Sequence, residues 1–141
     1  MNRQVLQGVE ILYLLLGGYF DIKEKLLPIN LFAIFGSFFC ISNFLGNYRS
    51  LKEMLLGSCI GIVLLMLGWI TKEAIGYGDG LGVLILGLME GFSKTIQIVW
   101  LAFALSGIYG LWKLIVLRKE KTESIPFFPF LFLAKLGELL L

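Results

Sequence analysis

The chain contains no histidine. That absence excludes the serine–histidine and cysteine–histidine routes to a nucleophile, and any metal site built on imidazole. Cysteine is nearly as scarce. Cys40 and Cys59 both fall inside apolar runs, where a thiol serves as a small hydrophobe in helix packing rather than as a disulfide or reactive group. Charge is thin as well: Asp, Glu, Lys and Arg make up 16% of 141 residues, and the net charge of +2 is too mild to argue for a nucleic-acid partner.

Apolar residues fill the space that charge leaves. The hydrophobic fraction is 58% and the mean hydropathy +0.89. A soluble fold of this length could not hide so much apolar surface, because much of any small domain faces water. The solvent for most of the chain is therefore lipid, and one membrane-embedded domain over 1–141 is expected. Arg3 and the apolar run at 11–16 have the look of a secretory signal. However, Glu10 interrupts the apolar core and no small-x-small cleavage pattern precedes Asp21, so the segment reads as a retained first span.

A span needs roughly 20 apolar residues. Six candidates emerge, at 5–20, 29–45, 51–70, 79–89, 95–117 and 126–141. In lipid they must be helices, since the runs are too continuous for barrel strands. The expectation is an all-α polytopic bundle of about six transmembrane helices. Gly57 with Gly61, and Gly87 with Gly91, have the four-residue spacing that lets helices approach closely. Counting basic residues by side puts Lys23, Lys25, Lys72, Lys113, Arg118, Lys119 and Lys121 on one face, and Arg3, Arg49, Lys52, Lys94 and Lys135 on the other. The richer side is the cytoplasmic one by the positive-inside rule, and both Asp21 and Asp79 fall on it.

Those two aspartates carry the chemistry. Asp21 is expected to end the first helix, and Asp79 to begin the fourth within Gly76-Tyr77-Gly78-Asp79-Gly80. An ionisable group beside an apolar span is costly to keep and points to function. Glycines allow the tight backbone approach that a peptide cleft requires. If the two helices are neighbours, the carboxylates cannot both ionise cheaply and come to share a proton. The ionised one can then activate water while the protonated one polarises a carbonyl. Each residue also has a plain alternative: Asp79 as a helix N-cap, Asp21 as an interfacial charge. Glu10, eleven residues before Asp21, shares its helix face but lies about 16 Å away, so it is expected to face the bundle interior or to snorkel outward. Lys135 and Glu138 have the spacing of a local pair.

Gly76-Tyr77-Gly78-Asp79 resembles the signature of the GxGD aspartyl proteases. Asp21, followed by Pro28 and Asn30, resembles the first-aspartate motif of the prepilin peptidases (type IV leader peptidases). Ile125-Pro126-Phe127-Phe128-Pro129-Phe130 is similar to the motif that opens that family's last helix. The resemblance implies an endopeptidase without cofactor or metal that removes the leader of a prepilin-like membrane protein at the cytoplasmic face of the cell membrane. It makes Asp21 and Asp79 the catalytic pair, gives Gly76 and Gly78 the shaping of the loop beside the scissile bond, and has Pro28 fix the turn that faces Asp21 into the cleft. The pattern is not complete. Gly80-Leu81-Gly82 stands where the family carries a lysine, Pro28-Ile29-Asn30 replaces its Pro-Asn pair, and the Cys-x-x-Cys domain tied to N-methylation has no counterpart in the sequence. A minimal form that cleaves without methylating is expected. Two other readings compete. A serine–lysine peptidase would use Ser93 and Lys94, but adjacent helical residues point apart. A small carrier or scaffold could bind a cation or relay protons through its acidic residues, yet it gives no reason for the glycine and proline motifs.

Overall fold

The computed structural model describes residues 2–72, 76–118 and 125–141. It contains five helices: α1 (Arg3–Glu24), α2 (Ile29–Gly46), α3 (Leu51–Ile70), α4 (Tyr77–Ile115) and α5 (Phe128–Leu140). No strand occurs among the described residues. Helices α1 to α4 are each long and apolar enough to cross a membrane, which makes this a multi-pass membrane protein. The outer surface fits that solvent, with Phe44, Trp69, Trp100 and Ile115 all exposed. Cys40 and Cys59 are free and lie on this outer surface, not in the helix packing expected of them.

Five helices replace the expected six. Residues 92–94, part of the polar stretch expected to separate the fourth and fifth spans, are helical, and those two spans are joined in one 39-residue element. Gly91 alone breaks it, with φ 75° and ψ 179°, a backbone region open essentially to glycine only. The contacts on either side show what the break does. Gly82 meets Phe128 near the start of α5 and Glu90 meets Lys135 near its end, so 77–90 runs alongside α5. Lys94 pairs with Glu138, and the Phe103 ring lies 4.8 Å from that of Phe127, so 92–115 runs against it. The chain thus turns back at Gly91, and α4 is two antiparallel arms.

Helix ends also move. The first helix continues past Asp21 to Glu24, and α4 begins at Tyr77, so Asp79 is its third residue and Gly76 its N-cap. Parts of the stretches expected to separate the third span from the fourth and the fifth from the sixth, 73–75 and 119–124, lie outside the described residues. Lys119 and Lys121 of the orienting count therefore lie there too.

Two kinds of contact hold the bundle. The first arm of α4 packs against α3 through the glycine pairs. Gly57 stands against the backbone of Gly87 and Gly61 against Leu84, where any Cβ would collide with main-chain atoms. Lipid offers helices no hydrophobic drive to associate, so such close van der Waals contact is what stabilises the pair. The second contact is a charge cluster at the end of the bundle away from the aspartates. Lys135, fully buried on α5, donates to Glu90 and to Glu138 Oε2 (3.1 Å) and stands 3.4 Å from Glu10 Oε2. Arg49 pairs with Glu90 at 3.0 Å and its Nε donates to Met89 O at 2.6 Å, two residues before the break. Lys94 closes the ring to Glu90 (3.6 Å) and Glu138 (3.0 Å). Glu10 thus faces the interior, and the expected Lys135–Glu138 pair belongs to a larger network.

Gly91→Ala forces a Cβ into the glycine-only region and is expected to destabilise the fold by about 1–3 kcal/mol. Gly107→Ala meets nothing within 4 Å and is expected to be neutral or slightly stabilising. Thermal unfolding of both variants in detergent measures the contrast, and equal melting temperatures would contradict the role given to Gly91.

Candidate active site

The site lies at the opposite end of the bundle, where α1, α4 and the start of α5 meet. Asp21 occupies the last turn of α1, which Lys25 closes in the left-handed region at φ 53°. The chain then crosses Leu26 and Leu27 to Pro28, the N-cap of α2, whose φ of −68° is the one its ring imposes. On the facing element, Gly76 caps α4 and Asp79 follows three residues on. The Asp79 carboxylate reaches back toward that N-terminus, since a Cβ on Gly76 would come within 3.2 Å of its Oδ2. Leu27 closes over Gly78, where a Cβ would come 2.7 Å from Leu27 Cδ1.

What brings the two halves together is α5. Phe128 is fully buried, its ring wedged between Gly17 of α1 and Gly82 of α4. Tyr13 donates its hydroxyl proton to Gly82 O at 3.2 Å and packs its ring edge-on to Phe128, centroids 6.0 Å apart. With the ring so fixed, the Phe128 N–H donates to Asp21 Oδ2 at 3.0 Å. A carboxylate from the other end of the chain thereby satisfies one of the free donors that opens α5.

Asp21 and Asp79 line one cavity of about 480 Å³, together with Gly76, Tyr77, Gly78, Leu26, Leu27, Ile125 and Pro126, with exposed Lys25 at its rim. Both carboxylates are half-buried. Gly76 and Gly78 form part of the wall. Pro28 does not line the cavity. It stands behind Leu26 and Leu27 at the start of α2. Asn30 is exposed. Among the described residues, no group of three His, Cys, Asp or Glu is placed to hold a metal ion. The Phe128 contact to Asp21 was not foreseen. The proline–phenylalanine motif announces a helix start, but nothing local to it indicates which acceptor 107 residues away completes it.

Comparison with known proteins bears on this geometry. The type IV leader peptidase family matches residues 9–111, a stretch holding both aspartates, and the chain belongs to that family. A prepilin leader peptidase/N-methyltransferase of Stutzerimonas stutzeri is 32% identical over 124 residues, covering 81% of this chain and 42% of the relative. The proteins of the same name in Aeromonas hydrophila and Aeromonas salmonicida are 33% and 28% identical over 125 and 124 residues, covering 82% of this chain and 42% of each relative. The chain thus spans well under half the length of the curated relatives it matches. No solved structure matches it.

Phe128→Ala empties the wedge between Gly17 and Gly82. In lipid the transfer part of the usual core penalty largely falls away, leaving a cavity cost of about 2 kcal/mol. Chemical denaturation followed by tryptophan fluorescence is expected to report that loss, whereas Phe44→Ala on the outer surface is expected to report none.

Proposed function

We propose that this chain is an aspartyl endopeptidase that cleaves the leader of a prepilin-like membrane protein at the cytoplasmic face of the membrane. The observation that carries the reading is the convergence of Asp21 and Asp79, from α1 and α4, on a single cavity at one end of the bundle. Family membership supports it, as does the name borne by the curated relatives.

In this mechanism the pair holds one proton between two carboxylates. The ionised member takes a proton from a water molecule, and the water oxygen attacks the scissile carbonyl carbon. The protonated member gives its hydrogen to the carbonyl oxygen as the tetrahedral species forms. Collapse of that species breaks the C–N bond: the leaving nitrogen takes up the proton gained from water, and one hydroxyl of the diol gives its proton back to the carboxylate that had donated it as the new C=O forms. No covalent enzyme intermediate arises, so no nucleophilic side chain is needed. Asp21 enters the cycle with Oδ2 already accepting from Phe128 N–H, which fixes the carboxylate. Gly76 carries no side chain beside Asp79, so that an extended peptide can lie against the backbone there, and Gly78 leaves room for Leu27 to close over it. Pro28 acts at one remove, setting the turn from which Leu26 and Leu27 close the cavity. The cytoplasmic placement rests on the excess of Lys and Arg in the segments at this end.

Asp21→Asn and Asp79→Asn are each expected to lower leader cleavage by about 10²–10⁴-fold, with membrane insertion unchanged. The measurement is the product mass after incubating purified protein in detergent with a prepilin-like substrate. Cleavage at the normal rate by either variant would contradict the pairing.

A further inference from the structure

Asp21 and Asp79 stand on the same helix faces as the contacts that join their helices. Tyr13, Gly17 and Asp21 follow one another at four-residue spacing along α1, and Asp79, Gly82 and Leu86 at three- and four-residue spacing along α4, so each set forms one stripe. Between the stripes lies the ring of Phe128, wedged between Gly17 and Gly82. Such a ring fixes how far apart the helices stand. Apolar contact has little direction, however, and a ring between two glycines leaves α1 free to slide or turn against α4. Tyr13 removes that freedom. It is fully buried, and its hydroxyl donates to Gly82 O at 3.2 Å, one turn beyond Asp79. The ring that carries the hydroxyl is itself held, edge-on to Phe128 of α5 and tilted against Phe35 of α2, with centroids 6.0 and 5.2 Å away. Gly82 O lies inside a helix, where one lone pair serves the backbone, so the phenol takes the second. The bond therefore adds nothing that α4 requires for itself. It is a directional tie that weakens steeply as donor and acceptor move out of line, and it spans the two elements that bring the carboxylates.

We propose that Tyr13 is a positioning residue for the carboxylate pair: its hydroxyl sets the height and rotation of α1 against α4, and with them the separation of Asp21 from Asp79. The phenol touches no reacting atom and acts through Gly82. That the separation governs cleavage rests on the reading of the pair as catalytic; that the phenol sets the separation does not.

The test compares Tyr13→Phe, which keeps the ring and loses the bond, with Tyr19→Phe, which removes an exposed hydroxyl from the same helix. Spin labels at Ile22→Cys and Tyr77→Cys, both exposed positions close to the aspartates, report the α1–α4 distance by double electron–electron resonance. They are placed in the full chain with Cys40 and Cys59 replaced by alanine, and kinetics are measured on the unlabelled chain. Tyr13→Phe is expected to shift or broaden the distance distribution. It is also expected to lower kcat for a prepilin-like substrate about tenfold with KM within about twofold, a part of the loss that an ångström of misplacement brings. Tyr19→Phe is expected to change neither. Replacing Tyr13 by 4-aminophenylalanine returns a donor to the same place and is expected to restore both. A distance distribution unmoved by Tyr13→Phe would overturn the proposal whatever the kinetics. So would an altered distribution with normal kcat, and so would a Tyr13→Phe chain that no longer folds, since the bond would then support the whole bundle rather than the pair. If the wild-type chain cleaves no prepilin-like substrate, the catalytic reading fails by itself, and the distance readout still decides on Tyr13.

Discussion

One hydrogen bond ties the ends of this chain together: Asp21 Oδ2 accepting from Phe128 N–H at 3.0 Å. It sits where three requirements coincide. A helix that begins within the bundle must find acceptors for its first N–H groups, and Phe128 is fully buried, out of the reach of solvent. A half-buried carboxylate needs donors for the same reason. The Phe128 ring, clamped between Gly17 and Gly82, removes the freedom that would otherwise let the two drift apart. The last helix is thereby locked to the first at the level of the α4 N-terminus, and the cavity shared by Asp21 and Asp79 exists because of that lock.

The rest of the fold can be understood as a frame for this junction in a solvent that gives no hydrophobic assistance. Glycine supplies close approach where helices must touch, as at Gly57 and Gly87, and reversal where α4 must turn back, as at Gly91. Charge supplies the far anchor. Lys135 is fully buried yet sits among Glu10, Glu90 and Glu138, so α5 is held by an ion cluster at one end and by Phe128 at the other. A buried ion cluster of this kind is weak evidence for net stability, since desolvation offsets much of the attraction. Its effect is on register: a slip of α5 by one residue would leave Lys135 without its partners.

Much of this could be read from the chain. Apolar run lengths located α2 and α3 almost to the residue, the four-residue glycine spacing anticipated the α3–α4 contact, and Gly76-Tyr77-Gly78-Asp79 marked one wall of the site. The misreadings share a physical cause. The stretch 91–94 was expected to be a loop because it is polar. Past the break at Gly91, residues 92–94 are instead helical, and Lys94 finds partners in Glu90 and Glu138. Glu90 drew no attention in the sequence, because its role depends on Arg49, 41 positions back, and Lys135, 45 positions on. The α5 motif gave a helix start but not its acceptor. In each case the deciding interaction joins residues far apart in the chain, and no local pattern carries that information.

The central claim is that residues 21 and 79 face each other across one cavity in the folded protein. With Cys40 and Cys59 replaced by alanine, Asp21→Cys and Asp79→Cys introduced together give two thiols addressable by a short bifunctional maleimide in native membranes. Cross-linking within a single chain, blocked by prior unfolding, is the result the account predicts. Efficient labelling of both thiols with no intramolecular link would contradict it.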